Sequence, residues 1–111
     1  NKRKKIANYY NKYIHNIKIN KLFYSKDAVY HQYVILVKDR SKLIKLLKKN
    51  KIQYGFHYPK SINQIDALKK YFKKKKFINA EKLADQGISL PIDPNLSLTN
   101  QSFIVKTLNS F

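Results

Sequence analysis

The apolar positions of this chain recur with helical spacing in some segments and form nearly continuous runs in others. Helical spacing predicts helices over residues 2–14, 41–49, 65–72 and 80–86, and a last helix that follows Thr99. An almost continuous apolar run predicts a strand over residues 29–37 that is covered on both faces. Shorter runs predict strands over residues 52–56 and 88–92, and the prolines that follow require the last one to lie at an edge or to end there. The irregular, polar stretch 16–27 predicts a loop with one short extended piece.

Polar residues stand where the predicted helices begin. Asp39 or Ser41 can cap helix 41–49, and the other candidate caps are Asn63, Asn79 and Thr99. Strand 29–37, helix 41–49 and strand 52–56 together form a short crossover unit. We therefore expect an α/β (α+β) domain, in which a small sheet of about three strands carries helices mainly on one face.

Length and composition limit the class of protein. With 111 residues, of which 43% are hydrophobic, residues 1–111 are expected to form a single domain. The chain has no cysteine, which excludes disulfides and thiolate metal sites, and no apolar run approaches the ~20 residues of a membrane span. We expect a cytoplasmic protein. Because the chain starts at Asn1 and lacks methionine, we interpret it as a C-terminal fragment of a longer protein.

The net charge of +18 raises the hypothesis of a nucleic-acid-binding module that uses the lysine-rich run 69–76. Arginine, which recognises phosphates and bases best, occurs only at Arg3 and Arg40. Lysine, asparagine, isoleucine and tyrosine are all frequent, as a compositional drift of the genome would produce. We keep nucleic-acid binding as the alternative and do not expect it.

Candidate chemistry is concentrated where strand 52–56 ends. His57 and Tyr58 follow this strand, and Pro59 then stops it, so a rigid support delivers two polar side chains to one place. His31, in contrast, is expected to be a buried core residue of strand 29–37. The chain shows no glycine-rich phosphate loop, no catalytic triad pattern and no metal-ligand spacing of its histidines. On its own, the chain is not expected to be an enzyme.

Five segments in this order resemble the C-terminal domain of the DegT-type sugar aminotransferases, which are pyridoxal-phosphate enzymes of fold type I. The first is the basic helix around Ile6-Ala7. The others are Tyr30-His31-Gln32-Tyr33-Val34, Arg40 with Leu43, the stretch that ends in His57-Tyr58-Pro59, and Ala80-Glu81 followed by Ser89-Leu90-Pro91.

The resemblance implies a division of labour in a longer enzyme. The lysine that binds pyridoxal phosphate lies in a large N-terminal domain, so no cofactor is bound by this chain alone. The complete enzyme is expected to be a homodimer that moves an amino group, with glutamate as the expected donor, onto a keto nucleotide sugar. Some relatives replace that lysine with histidine and catalyse a dehydration instead. Amino sugars of this kind enter surface polysaccharides or antibiotics.

The same resemblance assigns candidate substrate-binding residues. His57 and Tyr58 match positions near the cleft for cofactor and sugar. The family then carries a proline, a histidine and a glutamine where this chain has Ser61, Asn63 and Ile65. Asn63 is a third candidate; either the substrate differs from the common one, or this loop does not contact it. A non-catalytic interaction or dimerisation domain is a further possibility, since exposed interdomain surfaces would self-associate.

Overall fold

A computed structural model describes residues 2–25, 27–72 and 75–111, and its centre is a three-stranded antiparallel sheet. The elements in chain order are α1 (Lys2–Tyr13), β1 (Ile19–Lys21), β2 (Tyr33–Val37), α2 (Arg40–Lys49), a 3-10 turn (Ile62–Gln64), α3 (Lys69–Phe72), α4 (Ile78–Gln86), β3 (Gly87–Leu90) and α5 (Leu98–Asn109). The expected α/β architecture with a small sheet is confirmed. No helix in these three ranges combines the length and the apolar character needed to cross a membrane.

The sheet has the order β1-β2-β3, and its register assigns each side chain to one of two faces. Tyr33 is paired with Leu90 and Ile35 with Ile88, so these side chains share one face, which we call the core face. Val34 is paired with Ser89, and both lie on the opposite face, which we call the cavity face. β2 is central and is buried on both sides, as its apolar run predicts.

Three helices cover the core face and one covers the cavity face. Buried apolar residues of α1, α2 and α5 form one cluster with the core-face strand residues; they include Ile6, Tyr10, Leu43, Leu47, Ile104 and Leu108. On the other side, Ala84 of α4 is buried near Val34. Helices packed mainly on one face were expected, and this expectation is confirmed.

Tyr10 connects α1 to the end of β3. Its ring is fully buried, lies edge-on to Tyr33 with 5.1 Å between ring centroids, and its hydroxyl donates to the Pro91 carbonyl at 2.8 Å. Burial, with a smaller contribution from the neighbouring Tyr33, raises the pKa of the Tyr10 phenol well above its usual range. The phenol therefore stays neutral in the folded chain, and it serves the fold as a hydrogen-bond donor.

The transition from α4 to β3 requires glycine. The Gly87 N–H donates to the Leu83 carbonyl and ends the helix, and strand pairing with Leu36 begins at the same residue. A β-carbon at Gly87 would lie 2.5 Å from the Leu83 oxygen, a distance that no side chain tolerates. The helix and the strand can therefore follow each other without a loop.

The predicted strand 29–37 is too long at its N-terminal end. Tyr30 adopts φ 51°, a left-handed conformation that costs about 1 kcal/mol for a residue with a β-carbon. Burial of its ring beside Tyr24, 5.0 Å between centroids, offsets that cost. Because this turn interrupts the extended backbone, the strand begins at Tyr33, and His31 is exposed. The prediction that His31 is a buried core residue was wrong.

The predicted strand 52–56 is also wrong as a regular strand. In this stretch only Gly55 pairs with the sheet, through an isolated antiparallel bridge to Ser89. The Ile52 N–H donates to the Leu47 carbonyl near the end of α2 and is not available to the sheet. The chain then bends away from the sheet at His57. Since Ser89 pairs with both neighbours in antiparallel fashion, this segment runs parallel to β2, with β3 between them.

The predicted helix cap at Asp39 is confirmed, and other predicted caps are displaced by one or two residues. Asp39 caps α2, accepting from the Lys42 N–H, whereas Ser41 lies inside that helix. Ser97, two residues before the predicted Thr99, caps α5. Asn79 lies inside α4, which begins one residue earlier.

Two further expectations about helix side chains need correction. Asn63 lies within the 3-10 turn and caps no helix, and the predicted helix 65–72 is reduced to α3. Helical spacing after Thr99 predicts that Phe103, Ile104, Thr107 and Leu108 face inward. The last three are buried, but Phe103 is 46% exposed, because the buried face of α5 is centred on Gln101, Ile104, Val105 and Leu108.

We predict that Tyr10→Phe destabilises the chain by about 1–2 kcal/mol at pH 7, because the buried Pro91 contact is lost. The difference from wild type should shrink above pH 10. Above pH 10 the Tyr10 phenol ionises in the unfolded wild type but stays protonated in the folded state, whose pKa is raised. This ionisation lowers the free energy of unfolding of the wild type and not that of Tyr10→Phe, which has no phenol. Urea unfolding at pH 7 and at pH 10.5 or above, monitored by circular dichroism, measures both effects.

Tyr9→Phe is the matched control on the same helix. Tyr9 is partly exposed, and in the described part of the chain its hydroxyl has no hydrogen-bond partner, so a change below about 0.5 kcal/mol is expected. Equal effects of the two substitutions would contradict the role given to the Tyr10 hydroxyl.

Candidate functional site

The cavity face of the sheet carries a cavity of about 440 Å³. Its floor is formed by Val34 and Ser89, α4 forms one side, and the segment from Gly55 to Ile62 forms the other. The lining is mostly apolar; its polar side chains are Gln32, Arg40, His57, Tyr58, Lys60, Ser61 and Ser89. No carboxylate is among the described lining residues, so the cavity favours neutral or anionic ligands.

His57 is held at the edge of this cavity by two contacts. Its ring Nδ1 lies 2.8 Å from the Ser89 Oγ, and Ser89 is 8% exposed. The ring also lies over Gly55, where a β-carbon would be 3.5 Å from the His57 Cε1 atom. Although His57 follows the last paired residue and is itself exposed, its ring has a defined position.

Tyr58 lines the same cavity, and Asn63 does not. The Tyr58 side chain is 79% exposed at the rim, free to contact a ligand or another part of a larger protein. Asn63 lies in a separate recess, where its amide donates to the Glu81 carboxylate at 2.6 Å and to the Lys75 carbonyl at 3.1 Å. The structure thus brings His57 and Tyr58 together at one cavity. It places Asn63 elsewhere, where its amide joins the 3-10 turn to Glu81 of α4 by a hydrogen bond.

Glu81 completes this fastening. Its carboxylate accepts from the Phe77 N–H at 2.9 Å, at the start of α4, as well as from Asn63. These two hydrogen bonds, the Phe77 one foremost, lower the pKa of Glu81 below its usual value. The carboxylate therefore stays ionised at neutral pH and holds the N-terminus of α4 next to the loop.

Arg40 is a cavity residue for which the sequence suggested no role. Its Nη1 donates to the Ala84 carbonyl at 2.7 Å, and its guanidinium carbon lies 4.9 Å from the centroid of the Phe56 ring. Ala84 belongs to the last turn of α4, whose carbonyls lack helical partners, so the arginine satisfies one of them. The available signal was that Arg40 is one of two arginines among 24 basic residues.

These segments, in this order and over the whole fold, match one family. A model of the DegT/DnrJ/EryC1/StrS aminotransferase family matches residues 1–109. The chain belongs to this family.

Three relatives illustrate the relationship. A dTDP-3-amino-3,6-dideoxy-alpha-D-galactopyranose transaminase from Aneurinibacillus thermoaerophilus is 29% identical over 112 residues, which are 99% of this chain and 31% of that relative. Among solved structures, the Helicobacter pylori aminotransferase PseC, involved in the biosynthesis of pseudoaminic acid, is 30% identical with a TM-score of 0.79, covering 99% of this chain and 33% of that one. NtdA from Bacillus subtilis, with bound PMP, shares the fold at 23% identity and a TM-score of 0.83, covering 96% and 27%.

This member of the aminotransferase family spans about a third of the length of these relatives, with shares of 31%, 33% and 27%.

The family is pyridoxal-phosphate-dependent, but the cavity residues do not fit the cofactor. The lysine needed to bind it must be desolvated. Lys60, the lysine that lines the cavity, has a side chain that is 60% exposed and that faces Asp66 at 3.7 Å.

The lysine-rich run lies elsewhere on this family member. Lys69, Lys70, Lys75 and Lys76 line the recess that contains Asn63, while Lys73 and Lys74 lie outside the described residues. Lys69 donates to Asp66 at 2.6 Å, and this hydrogen bond lowers the pKa of the exposed Asp66 carboxyl. Such surface pairs contribute little. These contacts and the family match give no support to the nucleic-acid alternative. The described residues contain no cluster of three or more His, Asp or Glu able to hold a metal ion.

We predict that Arg40→Ala destabilises the chain by about 1 kcal/mol, because the Ala84 carbonyl loses its donor and the Phe56 ring loses its stacked cation. Arg40→Lys should recover only part of this, since an ammonium group cannot lie flat on the ring. Urea unfolding measures all variants. Lys42→Ala, on the exposed side of α2, is the control with an expected change below about 0.5 kcal/mol. If Arg40→Ala behaves like Lys42→Ala, the contact of Arg40 with Ala84 does not tie α4 to α2.

Proposed function

We propose that residues 1–111 are the C-terminal domain of a pyridoxal-phosphate-dependent aminotransferase that acts on a keto nucleotide sugar. The observation that supports this proposal most directly is the match of residues 1–109 to the family. The chain also aligns over 99% of its length with a sugar transaminase, of which it covers 31%. In this proposal the enzyme is a cytoplasmic homodimer that uses glutamate as amino donor. A lysine at the cofactor position makes it an aminotransferase.

The chain contributes binding surface to the proposed enzyme. Pyridoxal phosphate, bound by the large N-terminal domain, supplies the electron sink for amino transfer. His57 and Tyr58 form one side of the sugar site, where the imidazole donates a hydrogen bond to the substrate and the phenol ring packs on the sugar. The proposal is supported by the cavity, which has polar groups at one edge, an apolar interior and no carboxylate among its described lining residues. Asn63 is retained as a candidate contact.

Exposed apolar side chains near the cavity support a larger protein around this domain. Leu22 lines the cavity, and the adjacent Phe23 is 95% exposed. Tyr58, at the rim of the same cavity, is 79% exposed. Side chains of this size are rarely left in water together unless another surface covers them. In our proposal the N-terminal domain and the second subunit supply that surface.

In the complete enzyme, we predict that His57→Ala raises the KM for the nucleotide sugar about 10-fold and leaves kcat within about twofold. A hydrogen bond made equally to bound substrate and to the transition state changes binding and not the chemical step. Tyr58→Ala should raise KM in the same direction. Steady-state kinetics with varied sugar and saturating amino donor measures these values.

Tyr71→Ala is the control. Tyr71 is 67% exposed on α3 and does not line the cavity, so its loss should leave KM unchanged. The proposed role of the cavity edge would be contradicted by an unchanged KM in His57→Ala together with an unchanged KM in Tyr58→Ala.

A further inference from the structure

We propose that Ser89 is a positioning residue, which holds the His57 ring so that its Nε2–H donates a hydrogen bond to an oxygen of the bound substrate. The part of this inference that concerns the substrate rests on the proposed function. The part that concerns the ring stands on the geometry of this chain alone. Ser89 does not reach the substrate in this proposal; it acts through His57.

The Ser89 side chain has a fixed position because its backbone is used on both sides. On one side Ser89 is paired with Val34 of β2. On the other side its N–H donates to the Gly55 carbonyl at 2.9 Å, and its carbonyl accepts from the Gly55 N–H at 3.1 Å. Since the residue is buried and lies between two neighbours, its β-carbon is directed to the cavity face, and the hydroxyl lies beside the His57 ring.

The direction of the hydrogen bond follows from what the hydroxyl can reach. A buried hydroxyl needs an acceptor for its proton. Among the described residues, the His57 Nδ1 at 2.8 Å is the partner available to the Ser89 Oγ. The hydroxyl therefore donates to Nδ1, and a neutral imidazole whose Nδ1 accepts must carry its proton on Nε2.

The free Nε2–H determines which ligand chemistry the site takes. Within the described ranges, Nε2 has no hydrogen-bond partner, and the ring borders the cavity. A fixed N–H donor selects an acceptor, such as a sugar hydroxyl or a diphosphate oxygen. The ring also rests against Gly55, so that its position, and not only its protonation, is determined before a ligand binds.

Nuclear magnetic resonance on the labelled chain tests the positioning directly. In the wild type, two-bond proton–nitrogen correlations should place the His57 proton on Nε2, and a nuclear Overhauser effect should join the His57 Hε1 to the α-protons of Gly55. A wild-type ring with its proton on Nδ1 overturns the proposal, whatever the variants do.

Three variants separate the hydroxyl from simple packing. Ser89→Ala should lose the Overhauser effect while its backbone amide spectrum keeps the bridge to Gly55. Ser89→Thr, which retains a hydroxyl, should keep the effect. Gly55→Ala alters the surface under the ring without removing the Ser89 hydroxyl. It should show a nuclear Overhauser effect between the alanine methyl group and the His57 Hε1, because the added β-carbon would lie 3.5 Å from the His57 Cε1 atom. A Ser89→Ala chain with the wild-type Overhauser effect overturns the proposal.

Kinetics of the complete enzyme tests the consequence for the substrate. Ser89→Ala should raise the KM for the nucleotide sugar about 5-fold, and the double variant Ser89→Ala/His57→Ala should have the KM of His57→Ala alone, since Ser89 acts through the ring. If the two substitutions raise KM additively in the double variant, Ser89 does not act on the substrate through His57. If the resonance data hold but His57→Ala and Tyr58→Ala both leave KM unchanged, the ring is positioned but the proposed function of this edge fails, so the two failures are distinguishable.

Discussion

Ser89 exchanges two backbone hydrogen bonds with Gly55, at 2.9 and 3.1 Å, and this pairing determines where the chain goes after α2. The segment that follows α2 has no other ladder contact with the sheet in the described part of the chain. This single bridge sets the starting point of the segment that forms one side of the cavity, and it brings His57 over the Ser89 hydroxyl. A domain with so small a sheet thus uses one residue of β3 to pair a strand, anchor a loop and orient a ring.

The apolar core and the proposed binding surface lie on opposite faces of the sheet. On the core face, α1, α2 and α5 bury the apolar cluster, and the neutral Tyr10 phenol joins α1 to the end of β3. On the cavity face, α4 leaves part of the sheet uncovered, and Arg40 holds the last turn of that helix through the Ala84 carbonyl. Substitutions at the exposed edge of the cavity, at His57 and Tyr58, can therefore be made with limited cost to the fold. This arrangement suits a domain whose binding residues are completed by another part of a larger enzyme.

The sequence was sufficient to predict features that depend on spacing along the chain. The burial of β2, the helix that ends near Lys49 and its cap at Asp39 follow from local patterns, and the structure confirms them. The sequence was not sufficient where a contact with another element determines the local backbone conformation. The strand predicted over 52–56 is reduced to one bridge because its first donor, the Ile52 N–H, is taken by α2. His31 is exposed because Tyr30 turns the chain to bury its own ring.

The same limit applies to the candidate site. His57 and Tyr58 were predicted together because they adjoin in sequence, and the structure places both at one cavity. Asn63, only a few residues further, is directed to Glu81 in another recess, and no spacing rule would have shown that. Arg40 and Ser89 come from segments whose resemblance to the family was visible, yet the contacts that give them roles join elements distant in the chain.

A crystal structure of the complete enzyme with its nucleotide sugar bound is the most direct test of the central claim, that this domain forms one side of the sugar site. The account predicts the His57 Nε2 within about 3 Å of a sugar or diphosphate oxygen, with Nδ1 still on the Ser89 hydroxyl. A ligand that makes no contact with His57 or Tyr58, with the cavity filled instead by side chains of the large domain, would contradict it.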